Sequence, residues 1–301
     1  MYFVPLIVSA IAALVITPAF VSALAKAGVV RSNYRGVSIP AASGVVIGVA
    51  ALMALGPLAA FDELADAGFL HSGLGPVLLY TLGVALLGLV DDLLGGGAPA
   101  GAASRPDAPR GWRGHAGAAA HGRLSTGALK AVGALGLALY ALSGGGRGWG
   151  EHLLSVAVLL LATNLFNLLD LRPGRAIKSL ALVGGALTFF WWNVAPLQTL
   201  GLLVGPVIVL VPYDLRERAM LGDVGSNALG AMAGFWLVMT LPVEGQLVAL
   251  VLLVLITVYG EFRSIGALVE RNRLLRRLDS IGRLEPARHS QSRAARERAD
   301  G

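Results

Sequence analysis

Long apolar runs alternate with short polar breaks along the chain, and their spacing predicts its elements. Near residues 2–24, 39–61, 74–94, 126–143, 152–171, 177–192, 196–213, 226–242 and 245–262 the sequence is almost uninterruptedly apolar. Each run has about 17 to 23 residues, enough to cross roughly 30 Å of hydrocarbon as a helix that satisfies its own backbone. The pattern predicts an all-α fold, a polytopic transmembrane helix bundle of about nine spans over residues 1–262. Residues 263–283 have a different rhythm. Ile265, Leu268, Val269, Leu275, Leu278 and Ile281 recur near one helical face with arginines around the rest. That is the pattern of an amphipathic basic helix on a membrane surface, with a solvated basic tail as the alternative. The stretches 95–123, 143–150 and 284–301 read as flexible loops and a disordered tail.

Composition points the same way. Of 301 residues, 55% are hydrophobic and 14% charged, and the mean hydropathy is +0.71, which excludes an ordinary soluble domain. The first run lacks a positive n-region and a small-residue cleavage site, so it reads as a retained helix rather than a signal peptide. Its short neutral start places the N-terminus outside. The basic residues then fall on alternate loops. Inside lie Lys26, Arg31 and Arg35; Arg105, Arg110, Arg113 and Arg123; Arg172, Arg175 and Lys178; Arg216 and Arg218; and the arginines from Arg263 onward. Only Arg147 lies outside, and Lys130 is within a run. Such bias sets orientation, here with a cytoplasmic C-terminus in the cell membrane. The net charge of +6 is thereby explained by loops facing anionic lipid, without nucleic acid. The absence of cysteine excludes disulfides, thiolate metal sites and cysteine nucleophiles.

Against this apolar background a few polar residues stand out, and all map to the inner ends of the runs. "GLVDDLLG" ends the third run with Asp91 and Asp92. Lys130 lies about one turn into the fourth. "ATNLFNLLDLRPG" closes the fifth with Asn164, Asn167 and Asp170, and "MLGDVGSNALG" carries Asp223 just before the eighth. Charges within membrane segments are costly and tend to be paired, interior or functional. The two amides and Asp170 are spaced by three, so they follow one helical face with a drift of about 60° per step. Any one of them alone could be interhelical glue. Four acids, two amides and one lysine at a single face instead describe a site for a hard divalent cation and phosphates. Mg²⁺ prefers oxygen ligands and uses one or two carboxylates together with substrate phosphate.

These motifs resemble those of the polyprenyl-phosphate N-acetylhexosamine-1-phosphate transferases, which include the phospho-MurNAc-pentapeptide translocase and the GlcNAc-1-phosphate transferases. The resemblance runs from "NYRGVSIPAASGVV" at 33–46 through "GLVDDLLG", the lysine of "LSTGALKAVGAL" and "NLFNLLD" to "MLGDVGS". It implies transfer of a sugar-1-phosphate from a UDP-sugar donor to a polyprenyl (undecaprenyl) phosphate acceptor, with release of UMP and a need for Mg²⁺. Carried over, Asp223 is the metal ligand with Asn167, and Lys130 holds phosphate. Asp91 and Asp92 serve the acceptor phosphate and charge balance, while Asn164 and Asp170 line the nucleotide site. Neighbours on a helix point about 100° apart, so one acid of the pair faces the acceptor. Asp92 is taken for that role and Asp91 for balancing Lys130. A homodimer is an admissible assembly.

The chain departs from the family in two places. Leu171 and Pro173 stand where a glycine and a base-reading Asp or Asn are expected, and the His-rich loop near the end is missing. Arg271, Arg273, Arg276 and Arg277 are candidate replacements as diphosphate donors. His115 and His121 read as solvated. The rival readings are a catalytically reduced member that binds lipid-linked intermediates and an ion-coupled transporter.

Overall fold

Because a backbone in lipid must close its hydrogen bonds within the segment, each apolar run winds into a helix. The computed structural model describes residues 2–66, 68–94, 126–144 and 146–284. The long helices are α1 (Val4–Lys26), α2 (Val45–Ala65), α3 (Leu74–Leu94), α4 (Thr126–Leu142), α5 (Trp149–Leu169), α6 (Arg175–Trp191), α7 (Pro196–Leu215), α8 (Gly222–Thr240) and α9 (Val243–Phe262). Six of them, α1, α2, α3, α5, α7 and α9, are long and apolar enough to cross a membrane. The protein is thus a multi-pass α-helical membrane protein by its described residues. The loop 95–123, with His115 and His121, and residues 285–301 lie outside them.

The helix α8 explains why hydropathy alone does not mark every long helix. It is polar for a span, with Asp223, Ser226 and Asn227 in its first half, yet nearly all its side chains are buried among other helices rather than facing lipid. It packs against α3, α5 and α6, and also touches α2, α7 and α9. Small residues make this central position feasible. A side chain at Gly230 would strike the Thr163 backbone of α5, and one at Gly234 would strike Leu159. The pair four residues apart therefore lets the two backbones approach closely. Gly201 and Gly205 of α7 do the same against Leu6 and Ser9 of α1.

Two features differ from the pattern of apolar runs. The second run begins at residue 39, but the helix starts only at Val45. Residues before it form an antiparallel hairpin, β1 (Val30–Ser32) with β2 (Ser38–Pro40), in the register Val30↔Pro40 and Ser32↔Ser38. The bundle is therefore not purely helical. Asn33 closes the hairpin, its Oδ1 accepting from the amides of Arg35 and Val37, and Gly36 takes the positive φ of +77° that the turn demands. The strand direction continues into backbone bonds with the α7–α8 loop: Met220 N donates to Pro40 O, Ser43 N to Met220 O and Gly44 N to Leu221 O.

The second difference concerns the amphipathic stretch 263–283, which is two short helices, α10 (Ile265–Arg271) and α11 (Arg273–Ser280). Asn272 divides them. Its backbone is extended and its Oδ1 accepts from the amides of Leu274 and Leu275, so it caps the second helix rather than continuing the first.

Candidate functional site

The first turn of α8 is wedged between two glycines, and this wedge positions the site. A Cβ on Gly88 of α3 would overlap the Asp223 carbonyl oxygen, and one on Gly44 would overlap Gly225. Each of the motifs "GLVDD", "SGVV" and "GDVGS" contributes the glycine that allows the others to approach. Gly222 adds a φ of +72° at the entry to the helix.

Asp223 thereby meets three side chains from other helices. Lys130 Nζ of α4 donates to Asp223 Oδ2 at 2.7 Å and lies 4.0 Å from Asp91 Oδ2 of α3. Asn167 Nδ2 of α5 donates to the same Asp223 oxygen at 3.3 Å. Asn167 Oδ1 accepts from Ser226 Oγ at 3.5 Å. The Asp91 carboxyl also takes a hydrogen bond from the Thr126 side chain and stands beside the carboxyl of Asp223. Lys130 is 18% exposed and the two acids 27% each, so the cluster is set into the protein yet open to a ligand.

Asp92 points elsewhere. Its Oδ2 accepts from the Val224 amide at 3.1 Å, a carboxylate at the positive end of α8, and its Oδ1 lies 3.3 Å from Arg31 Nη1. Arg31 Nη2 also donates to the Asp92 backbone oxygen at 2.6 Å. With its side chain only 2% exposed, Asp92 fastens the hairpin to the α3 and α8 ends.

The row Asn164, Asn167, Asp170 is divided by the structure. Asn167 joins the lysine cluster. Asn164 Nδ2 is buried without a hydrogen-bond partner among the described residues. Asp170 follows the last turn of α5 and lines an open cleft with Asp214, Glu217, Tyr34, Arg172 and Pro173, near enough to Asp223 and Asp92 for their charges to act on it. Its side chain makes no hydrogen bond or ion pair among the described residues. Asp214 Oδ2 accepts from the Gly174 amide at 2.6 Å. Glu217 accepts from Asn33 Nδ2 and the Tyr34 hydroxyl at 2.7 and 3.1 Å, and pairs with Arg35 at 3.0 Å. The Arg172 guanidinium sits over the Tyr34 ring, 4.5 Å from its centre.

Sequence reasoning counts Arg31 only as a loop charge and overlooks Asp214, Glu217, Ser226 and Tyr34. Asp214 carries a readable signal, since it ends an apolar run at the same face as the other acids. Glu217 and Tyr34 carry none, because the hairpin and the α7–α8 loop meet only in the folded protein. The side chains of Arg271, Arg273, Arg276 and Arg277 are exposed and make no hydrogen bond or ion pair among the described residues, so they are not drawn into the site.

The donor set fits a hard cation in part. Asp223 and Asp91 offer carboxylate oxygens, which suits Mg²⁺. Asn167 presents its nitrogen to Asp223, and ligation through its oxygen requires the amide to turn over. Among the described residues no three acidic or histidine side chains close on one point.

Fold and composition define the class: a multi-pass α-helical membrane protein with a charged cluster at one end of its bundle. No protein-family model matches the chain, and no curated protein matches it.

Proposed function

We propose that the protein transfers a sugar-1-phosphate from a UDP-sugar to a polyprenyl phosphate at the cytoplasmic face of the cell membrane. The observation that carries this reading is the convergence of Lys130, Asp91, Asn167 and Asp223 from four helices at one end of the bundle. In the reaction an oxygen of the lipid phosphate bonds to the β-phosphorus of the UDP-sugar. The bond from that phosphorus to the bridging oxygen breaks, and UMP leaves with the electron pair. Phosphoryl transfer chiefly needs in-line positioning and neutralisation of oxygens.

Asp223, with Asn167 once its amide is reversed, would hold Mg²⁺, which would supply positive charge to the phosphate oxygens. Lys130 brings a second cation to the same place and orients a phosphate by donating to it. Asp91, beside Lys130 and more open than Asp92, is the acid that faces the acceptor. Asp92 is assigned a positioning role in place of the acceptor role expected from sequence. The cleft at Asp170 and Tyr34 takes the nucleotide, with Arg172 at its rim. All nine long helices cross the membrane in this reading, and the loop arginines put the site inside.

A second reading has its own observation. The direct Lys130–Asp223 pair places an ammonium where a metal would sit, as expected of a reduced relative that binds lipid-linked intermediates without turnover. A transporter is less well supported, because these groups cluster at helix ends rather than near the midplane. The test is incubation of purified protein with undecaprenyl phosphate, Mg²⁺ and a panel of UDP-sugars, following UMP and lipid product by mass spectrometry. Product formation establishes the transferase. Binding of either substrate without UMP establishes the second reading.

A further inference from the structure

We propose that residues 265–284 form a strap that binds the anionic phospholipid surface of the bilayer, and that this seating braces the turn at 171–174, one wall of the cleft. The strap cannot leave the membrane surface easily. Only Arg263 and Ser264 separate it from α9, and Ile265 is buried against Gly260. One side of α11 is held by the protein. Asp279 bonds Arg175 Nε at 3.0 Å and Arg283 Nη1 at 2.7 Å. Lys178 Nζ donates to the backbone oxygens of Leu278 and Asp279, a cation at the negative end of the helix. Arg283 Nε donates to Pro173 O at 2.7 Å, which ties the strap to the cleft turn.

Among the described residues the other sides of α11 are unpartnered. Leu274 and Leu278, four residues apart, are 65% and 47% exposed, and Ile281 follows them at 61%. The side chains of Arg271, Arg273, Arg276 and Arg277 are exposed, with no hydrogen bond or ion pair among the described residues. The segment's acids are already engaged, Asp279 as above and Glu270 by Arg172 at 3.2 Å. An apolar stripe with free arginines, joined directly to a membrane helix, matches a leaflet of anionic headgroups over acyl chains. The proposal rests on the membrane fold alone, whatever the chemistry of the site.

The experiment uses the full-length protein in nanodiscs of phosphatidylcholine alone or of phosphatidylcholine mixed with phosphatidylglycerol, and reads amide hydrogen exchange by mass spectrometry. Exchange across 265–284 and 171–174 is expected to be roughly tenfold slower with phosphatidylglycerol, the scale set by several basic residues at a charged surface. High salt on the wild-type protein is expected to remove the difference, as is the triple variant R273Q/R276Q/R277Q, with amides of α5 and α8 reporting that it has folded. Equal exchange in the two lipids, or a difference that survives both salt and the triple substitution, overturns the proposal. Protection of 265–284 by inorganic diphosphate in phosphatidylcholine discs overturns it as well, because the arginines then serve a soluble phosphate. Nucleotide release is not read, so failure here is separate from failure of the transferase reading.

Discussion

Lys130 Nζ lies 2.7 Å from Asp223 Oδ2, joining the start of α4 to the start of α8. The pair is partly buried, so each charge depends on the other for compensation, and Lys130 is shared with Asp91. If Asp223 is also the metal ligand, Asp223→Asn keeps the shape but loses the charge that holds the ion. UMP release is expected to fall by on the order of 10²-fold or more, as when a group that stabilises developing charge is removed. Raising Mg²⁺ should recover part of it. Turnover equal to wild type across a Mg²⁺ titration would remove Asp223 from the chemistry.

Asp91 and Asp92 are expected to separate by phenotype. Asp91→Asn should lower UMP release while leaving the thermal unfolding midpoint in detergent close to wild type. Asp92→Asn and Arg31→Gln should instead destabilise by about 1–3 kcal/mol, the cost of leaving a buried charged hydrogen bond unmade. The reverse pattern, a stable Asp92 variant with no turnover, would return Asp92 to the acceptor role.

Gly88→Ala tests the wedge. A Cβ there overlaps the Asp223 carbonyl oxygen, and backbone cannot step aside as a flexible side chain does. Overpacking of this kind costs about 1–3 kcal/mol, and the displaced α8 carries Asp223 with it. Both the unfolding midpoint and substrate binding should drop. Gly56→Ala, where nothing lies within 4 Å, serves as the control.

The strap should respond to acid. Burial acts to raise the carboxyl of Asp279, but the hydrogen bonds and charges of Arg175 and Arg283 outweigh it and hold the group below its ordinary value. The stability this adds is present above the unfolded carboxyl value. It is lost as pH falls through the lower folded value, below about pH 4. The chain has no cysteine, so a spin label at Ile281→Cys reports on the strap alone. Its mobility should rise in that acidic window, and Asp279→Asn should raise it at neutral pH. A label equally immobile in the wild-type protein and in Asp279→Asn at neutral pH would show that Asp279 does not hold the strap.

Helix positions were legible in the sequence because lipid imposes a local rule: an apolar run long enough to cross must close its own backbone bonds, whatever its neighbours. The same rule made Asp91, Asp92, Lys130, Asn167 and Asp223 visible, since a polar residue in such a run needs a reason. Asp91 beside Lys130 and Asn167 with Asp223 were expected from the resemblance, but the turning away of Asp92 was not legible. Asp91 and Asp92 are adjacent in sequence, and only the glycine contacts at Gly44 and Gly88 decide that one carboxyl faces Lys130 while the other caps α8 against Arg31. Asn167 and Asp170 share a helical period, yet the end of α5 at Leu169 sends Asp170 into the open cleft. The hairpin at 30–40 was hidden as well, because its three-residue strands are too short to show a period of two, and the bond that ties Pro40 to Met220 joins residues far apart in sequence. The chain determined where charge enters an apolar fold; close backbone approach in three dimensions decided which charges became partners.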